Sequence, residues 1–166
     1  MLIGASVGYT ANGPRPVIEE QRVSESRQAK VTTRTGDQGY TGLIGKERVP
    51  KWDPRPDTYG TVDEATSELG LARALARQPR VKDTILRLQR ELYVLMAELA
   101  TSPEEQGKHA HMVITAEHVA GLEALTEALK AEVAIGLSFI VPGETVAGAA
   151  LDLARAIVRR AERLTA

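Results

Sequence analysis

Apolar residues recur at intervals of three and four along most of the chain after residue 57, the spacing of helices that bury one face. A first helix is predicted over about residues 57–77 and a second over about 81–99, the second having the clearest period. Thr115 is placed to cap a third helix, which Gly136 is expected to end, and a fourth is predicted over about 145–164. The apolar faces are, in chain order, Val62, Ala65, Leu69, Ala72 and Ala76; Val81, Ile85, Leu88, Leu92, Leu95 and Leu99; Val119, Leu122, Leu125, Leu129 and Val133; and Ala147, Ala150, Ala154, Val158 and Ala161.

The chain before these helices has a different composition. Residues 1–30 carry glycine, proline and scattered charge, with neither the helical nor the strand periodicity of apolar residues, so we expect a flexible leader. Residues 31–57 are dense in Gly, Thr, Pro and charge, which favours an ordered ligand-binding loop over a packed element. With little convincing strand, the pattern predicts an all-α, up-and-down helical bundle of four helices, in one domain over residues 31–166.

Composition limits the functions that are open to the chain. The 21 Lys and Arg residues nearly balance the 22 Asp and Glu residues, so no overall field attracts nucleic acid or an anionic membrane surface. There is no cysteine, which excludes disulfides and thiol chemistry and fits a reducing cytoplasm. No apolar run reaches the roughly 20 residues of a membrane-spanning helix. We expect a soluble, cytoplasmic protein without nucleic-acid or membrane partners.

Two segments carry candidate chemistry, and the first is a Gly-rich loop. Thr33 to Gly42 has the sequence Thr-Arg-Thr-Gly-Asp-Gln-Gly-Tyr-Thr-Gly, and Lys46, Arg48 and Lys51 follow it. Glycines let backbone amides approach phosphates, while hydroxyls and cations add donors and charge. The loop lacks the Gly-Lys-Ser or Gly-Lys-Thr of a Walker A sequence. An ordinary surface turn remains the alternative.

The second segment is a stripe of arginines on the fourth predicted helix. Arg155, Arg159, Arg160 and Arg163 fall within nine residues. Cations at helical spacings of four repel one another unless anions lie close, so an anionic partner is favoured over a merely solvated face. A triphosphate, the carboxylates of another subunit, or Asp63 from the first helix are the candidate anions.

Together with the residues between them, these segments resemble the PduO-type ATP:cob(I)alamin adenosyltransferases. The resemblance covers about residues 31–164 and follows the family's order. The matching stretches are Thr33–Asp37 with Gly39 and Thr41; Lys51 and Arg55; Tyr59–Glu64 with Ser67, Leu69 and Gly70; Gln89–Tyr93; Glu98–Ala100; Phe139–Gly143; Ala154 and Arg155; and Arg159–Arg163.

The resemblance implies a homotrimeric helical bundle with its active sites between neighbouring subunits. It implies that ATP is held from the loop side by Thr33, Arg34, Thr35, Gly36, Thr41, Gly42 and Lys51, and from the helix side by Arg159, Arg160, Glu162 and Arg163. Mg²⁺ would bridge the phosphate oxygens, as hard cations do with nucleotides, and no protein side chain is expected to ligate a metal. His109, His111 and His118 are expected to be solvated.

The implied reaction needs no nucleophilic side chain. Co(I) of cobalamin attacks the ribose C5′ of ATP and expels triphosphate, so the protein aligns the attack and stabilises the departing charge. Asp63 and Arg155 match a salt bridge between subunits, and Phe139 matches an aromatic residue that displaces the lower axial ligand of cobalt. Asp63 has the alternative of complementing a helix dipole near a helix start, and Phe139 of packing in the core.

The sequence departs from the family at three places. Members continue into one more long helix, whereas this sequence stops at Ala166, which leaves stability and activity open. Glu144 replaces a small residue after Gly143, and Asp152 stands where histidine is usual and is expected either to weaken anion binding or to pair with Arg155.

We therefore weigh three functions. The first is adenosyl transfer, with a flavin reductase and an adenosylcobalamin-dependent enzyme as partners; the second is a catalytically impaired ATP- and corrinoid-binding homologue; the third is a structural oligomer.

Overall fold

The computed structural model describes residues 32–134, 136 and 138–165, so the predicted leader over residues 1–30 lies outside it. The described residues form four α-helices and one small hairpin. The strands are β1 (Tyr40–Gly42) and β2 (Arg48–Pro50), and the helices are α1 (Pro54–Leu75), α2 (Pro79–Ala100), α3 (Ala116–Glu132) and α4 (Val146–Thr165). The prediction of a four-helix, all-α architecture is confirmed.

The helix boundaries correct the predicted ones by a few residues, for identifiable reasons. α1 begins three residues earlier than predicted because the Asp53 carboxylate accepts a hydrogen bond from the Arg55 N–H, at 3.0 Å, and Pro54 occupies the first turn. α3 begins after Thr115 as predicted. Its end was predicted at Gly136 but comes at Glu132, because Val133 has already adopted extended backbone angles.

The segment predicted to be a loop also contains sheet structure. β1 and β2 pair antiparallel, with Thr41 opposite Val49. Leu43 and Val49 are buried, so this hairpin has a small apolar anchor of its own. The backbone of Ile44 also bonds to the end of α2: its N–H donates to Ala100 O at 2.7 Å, and its carbonyl accepts from Ser102 N at 3.0 Å.

The core lies where α1 packs between α2 and α4. The predicted apolar face of α1 is buried at every position, and the central cluster is Leu69, Ala72, Ile85, Ala150 and Ala154. Alanines on the facing sides of α1 and α4 let the two helices approach closely. Since the Thr58 hydroxyl hydrogen-bonds to Leu164 O at 3.2 Å, the beginning of α1 meets the end of α4 and these helices are antiparallel.

The apolar stripe of α3 is the exception to this packing. No residue of α3 is buried, and Val119, Leu122, Leu129 and Val133 remain exposed. The periodicity therefore identified a helix whose apolar side has little to cover it within the described part of one chain. None of the described helices is long and apolar enough to cross a membrane.

Candidate active site

The Gly-rich loop is a series of tight turns that end in β1. Arg34 has a φ of 58° and Gly39 a φ of 84°, both in the left-handed region. The Gly39 N–H donates to Gly36 O at 3.1 Å, and the Lys51 N–H donates to Gly39 O at 2.8 Å. A backbone hydrogen bond thus holds the part of the loop just before β1 against the residue that follows β2.

Arg48 holds this loop from within. Its Nη2 donates to Thr35 O at 2.8 Å and to Tyr40 O at 3.2 Å. The sequence suggested Arg48 as one of three cations near phosphate, but these hydrogen bonds commit its guanidinium to the loop backbone. Lys51 differs, because its side chain lies against the loop: a Cβ built on Gly36 would be 3.1 Å from Lys51 Nζ. Gly36 therefore leaves space for an ammonium beside the predicted phosphate-binding residues.

An open cavity of about 500 Å³ lies between the residues that follow β2 and the first half of α1. Its lining includes Lys51 and Trp52 from the loop side and Asp57, Thr61 and Glu64 from α1. Glu64 also pairs with Arg160 of α4. The sequence pattern assigns no role to Glu64, but in the structure Glu64 links the Lys51 cavity to the arginine stripe.

The remaining arginines of α4 are arranged differently from one another. Arg155 Nε donates to Asp152 Oδ1 at 2.9 Å, so the predicted pairing of these two residues is confirmed. Arg163 Nη1 donates to Arg159 O at 3.0 Å. Among the described residues, no ion pair involves Arg159 or Arg163, which leaves two exposed guanidiniums at the end of α4.

A larger open cavity, of about 750 Å³, lies between the segment that precedes α4 and the first turns of that helix. Phe139, Glu144, Asp152 and Arg155 are among its lining residues. Phe139 is fully exposed, so the alternative that it packs in the core is wrong. Arg155 lines this cavity, and Arg160 pairs with Glu64 of the smaller one. The two arginines are five residues apart on α4, or about 7.5 Å along the helix axis.

Asp63 lies in the middle of α1 and is exposed. The alternative that it complements a helix dipole is wrong, because Asp57 is the acid of the first turn. In the described part of the chain Asp63 makes no ion pair, and the intersubunit pairing with Arg155 stays a prediction.

The remaining predicted contact residues in the described chain do not line either of these two cavities. The compact unit begins at Arg34, so Thr33 lies just outside it. Thr41 and Gly42 lie in β1. Glu162 lines a separate apolar cavity of about 240 Å³ between α1, α2 and α4. His118 is not simply solvated, since its Nδ1 accepts from the Thr115 N–H at 3.1 Å and caps α3.

These features define a helical-bundle protein with a cationic loop, an arginine-rich helix end and, at the beginning of the same helix, a cavity that exposes an aromatic side chain. The family model for cobalamin adenosyltransferase matches residues 31–166, and the chain belongs to this family.

Individual relatives agree with this assignment. A corrinoid adenosyltransferase from Citrobacter freundii is 38% identical over 135 residues, which cover 81% of this chain and 76% of that protein. A corrinoid adenosyltransferase from Bacillus subtilis strain 168 is 40% identical over 138 residues, 81% of this chain and 69% of that protein. Among solved structures, a phenylalanine-to-alanine variant of a PduO-type ATP:corrinoid adenosyltransferase from Lactobacillus reuteri, complexed with cobalamin and ATP, superposes with a TM-score of 0.74 at 32% identity. The superposed region covers 82% of this chain and 76% of the L. reuteri chain.

Proposed function

We propose that the chain transfers the 5′-deoxyadenosyl group of ATP to Co(I) of cobalamin, which forms adenosylcobalamin and releases triphosphate. The observation that carries this proposal is the family match over residues 31–166, which includes the Gly-rich loop, Phe139 and the arginine helix together. The similar structure from L. reuteri holds both substrates, cobalamin and ATP.

On the nucleotide side, the loop holds ATP as its magnesium complex. Thr33, Arg34, Thr35, Gly36, Thr41 and Gly42 supply backbone and hydroxyl donors, and Lys51 supplies an ammonium. The tight turns at Arg34 and Gly39 support this role, because such turns point successive N–H groups toward one anion. Mg²⁺ needs no side-chain ligand here, since phosphate oxygens and water complete its coordination.

On the helix side, Arg159, Arg160, Glu162 and Arg163 contact the nucleotide. The bond between C5′ and the triphosphate breaks as Co(I) donates its electron pair to C5′, so negative charge accumulates on the leaving triphosphate. Two exposed guanidiniums without an ion pair in the described chain, Arg159 and Arg163, are suited to stabilise that charge.

On the corrinoid side, the cavity that exposes Phe139 takes the corrin ring. There the aromatic side chain displaces the lower ligand of cobalt, which makes Co(II) easier to reduce to Co(I). Asp63 pairs with Arg155 of a neighbouring subunit and shapes the same site. Arg155 has donors for both partners, because its Nε serves Asp152 and its two Nη groups remain for a second carboxylate.

We further propose that the protein is a homotrimer and that each site lies between two subunits. Support comes from the surface of the single chain: Asp63 and Arg159 are exposed without ion pairs in the described residues, and apolar residues of α3 and α4 remain exposed. Unpaired charge and apolar area of this kind are suited to an interface. A flavin reductase in the cytoplasm would supply the electron, and an adenosylcobalamin-dependent enzyme would receive the product.

The test is anaerobic conversion of cob(I)alamin to adenosylcobalamin by the purified chain with Mg-ATP, followed by absorbance. We expect turnover that falls at least about 100-fold in Arg159→Ala, since a lost transition-state donor typically costs that much. Arg77→Ala, an exposed arginine beyond the end of α1, is the control. A folded protein that binds ATP and cobalamin without turnover would instead identify the catalytically impaired, ligand-binding homologue.

A further inference from the structure

Trp52 follows Lys51 in the chain and lines the same open cavity of about 500 Å³. It is the only tryptophan of the sequence, and its exposed fraction is 74%. Single exposed apolar side chains are common on proteins, so this exposure alone indicates no function. The position beside a loop cation does, because it places a large flat ring next to a group that attracts phosphate.

Two residues of the Gly-rich loop hold the indole in place. A Cβ built on Gly39 would lie 3.3 Å from Cζ3 of Trp52, so the loop backbone passes close to the ring. The rings of Tyr40 and Trp52 have centroids 6.1 Å apart and are tilted by 56°. These contacts orient the indole, while most of its surface stays exposed to a ligand in the cavity.

Lys51 and Trp52 lie beside opposite ends of one tight turn. A Cβ on Gly36 would be 3.1 Å from Lys51 Nζ, just as one on Gly39 would meet the indole. Since the Gly39 N–H donates to Gly36 O at 3.1 Å, the two glycines are the ends of a turn, and their Cα atoms are less than about 7 Å apart. An anion at the ammonium and a flat ring on the indole can therefore belong to one small molecule.

We propose that Trp52 is the stacking face for the base of the nucleotide, and thus a specificity-determining residue that recognises the nucleoside part of the substrate. This inference rests on the proposed function, because it takes the Gly-rich loop and Lys51 to hold the triphosphate. Bases stack on exposed aromatic rings through their π-faces, and the indole is the largest ring that a protein offers. Lys51 then binds charge and Trp52 binds the base, so a bare polyphosphate satisfies only part of the site.

The stacking contact does not involve the bond that breaks. It is the same in the bound nucleotide and in the transition state at C5′, so its loss should raise KM for ATP and leave kcat nearly unchanged. Removal of a base-stacking aromatic side chain weakens binding by roughly 5- to 150-fold. Because this cavity is open to solvent, we expect the lower part of that range, about tenfold.

The first experiment titrates two probes calorimetrically, Mg-ATP and magnesium tripolyphosphate, which lacks the nucleoside. In Trp52→Ala, ATP should bind about tenfold more weakly, whereas tripolyphosphate affinity should change less than about twofold. Trp52→Phe keeps an aromatic face and should recover most of the ATP affinity. Tyr93→Ala removes an exposed aromatic ring on α2, outside the cavity, and should leave both affinities unchanged.

The second experiment needs no variant, so it remains valid if Trp52→Ala folds poorly. Because Trp52 is the only tryptophan, the indole emission of the unmodified chain reports on this position alone. A base stacked on the ring should quench the emission saturably, with the same Kd that calorimetry gives for ATP. Tripolyphosphate should bind with little quenching, although it places the same kind of charge beside Lys51.

The outcomes separate the inference from the proposed function. Equal quenching by ATP and tripolyphosphate, or equal loss of affinity for both in Trp52→Ala, would show that Trp52 only supports the loop. Either result overturns the inference even if adenosyl transfer is measured. Quenching and loss of affinity that are specific to ATP support it even without turnover, in which case the catalytic proposal alone fails. If neither probe binds, the inference falls together with the nucleotide site.

Discussion

Gly45 and Gly143 both take positive φ angles, 129° and 120°, but their surroundings differ completely. A Cβ on Gly45 would lie 2.5 Å from the Oγ of Ser102, which is fully buried, whereas a Cβ on Gly143 meets nothing within 4 Å. Both substitutions to alanine carry the backbone cost of an unfavourable φ, about 1 to 3 kcal/mol. Only Gly45→Ala adds a steric clash.

We therefore predict that Gly45→Ala lowers the free energy of unfolding by about 1 to 3 kcal/mol more than Gly143→Ala does. Urea unfolding followed by circular dichroism measures both. Ser102→Ala should recover part of the extra loss in Gly45→Ala, because it removes the clashing oxygen, which has no hydrogen-bond partner in the described residues. Equal losses in the two glycine variants would show that the loop near Gly45 moves to relieve the contact.

At this scale the sequence predicted residue types better than residue partners. The Thr-Arg-Thr-Gly loop and the arginines of α4 are identified from local patterns, and Phe139 from the family resemblance. The hydrogen bonds of Arg48 within its loop and the pairing of Glu64 with Arg160, 96 positions apart, are not. The Arg48 hydrogen bonds depend on how the loop folds back onto β2, and the Glu64–Arg160 pair depends on where α1 and α4 come together. No local spacing encodes either arrangement.

At the scale of elements, α3 is the helix with the least packing. No residue on it is buried, yet Glu132 at its end is held by both terminal nitrogens of Arg80 at the start of α2, at 2.6 and 2.7 Å. The hydrogen bond from Arg80 lowers the pKa of the Glu132 carboxyl, and the charge of Arg80 acts in the same direction. This exposed ion pair fastens an otherwise lightly packed helix end.

Because folding lowers the pKa of Glu132, its contribution to stability is fully present above the ordinary pKa of a glutamate. It is lost as the pH falls through the lowered value in the folded chain. We predict that amide protection in the last turns of α3, corrected for the intrinsic exchange rate, falls on acidification over that range and is a few-fold lower in Glu132→Gln at neutral pH. Hydrogen exchange followed by NMR measures it.

Glu127→Gln is the matched control, since in the described part of the chain the ion pair of Glu127 is with Lys130 on the same helix, at 2.8 Å. It should leave the protection of the α3 end close to that of the unmodified chain. If Glu132→Gln and Glu127→Gln give the same amide protection at the end of α3, the ion pair between Arg80 and Glu132 does not hold α3 against α2. The sequence predicted α3 from its period, but its exposed apolar stripe shows that periodicity identifies a helix without showing what covers it.

At the scale of the whole molecule, the helical order was predictable because each of α1, α2 and α4 has an apolar face that short connections bring together. The antiparallel arrangement places the start of α1, the end of α2 and the end of α4 at one end of the bundle, near the hairpin. The loop and the arginine helix of one nucleotide site could come from the same chain or from two neighbouring subunits, depending on how the subunits assemble. The periodicity of a single sequence does not distinguish these two arrangements. Lys51 and Glu64 share a cavity in the single chain, whereas Arg159 is exposed at the end of α4.

A mixture of two inactive variants decides between a site within one chain and a site between subunits. Lys51→Ala removes the loop cation and Arg159→Ala removes the helix cation, so each protein alone should have little activity. If every site takes its loop from one subunit and its helix from the next, a mixed trimer of the two variants has both halves intact at one of its three sites, so tandem-purified mixed trimers should recover about one third of the full activity. Coexpression of differently tagged chains, tandem purification and cobalt adenosylation assays measure the recovery, and sedimentation gives the expected trimer mass. Recovery near zero in a verified mixed trimer would place the loop and the arginines of each site in the same chain.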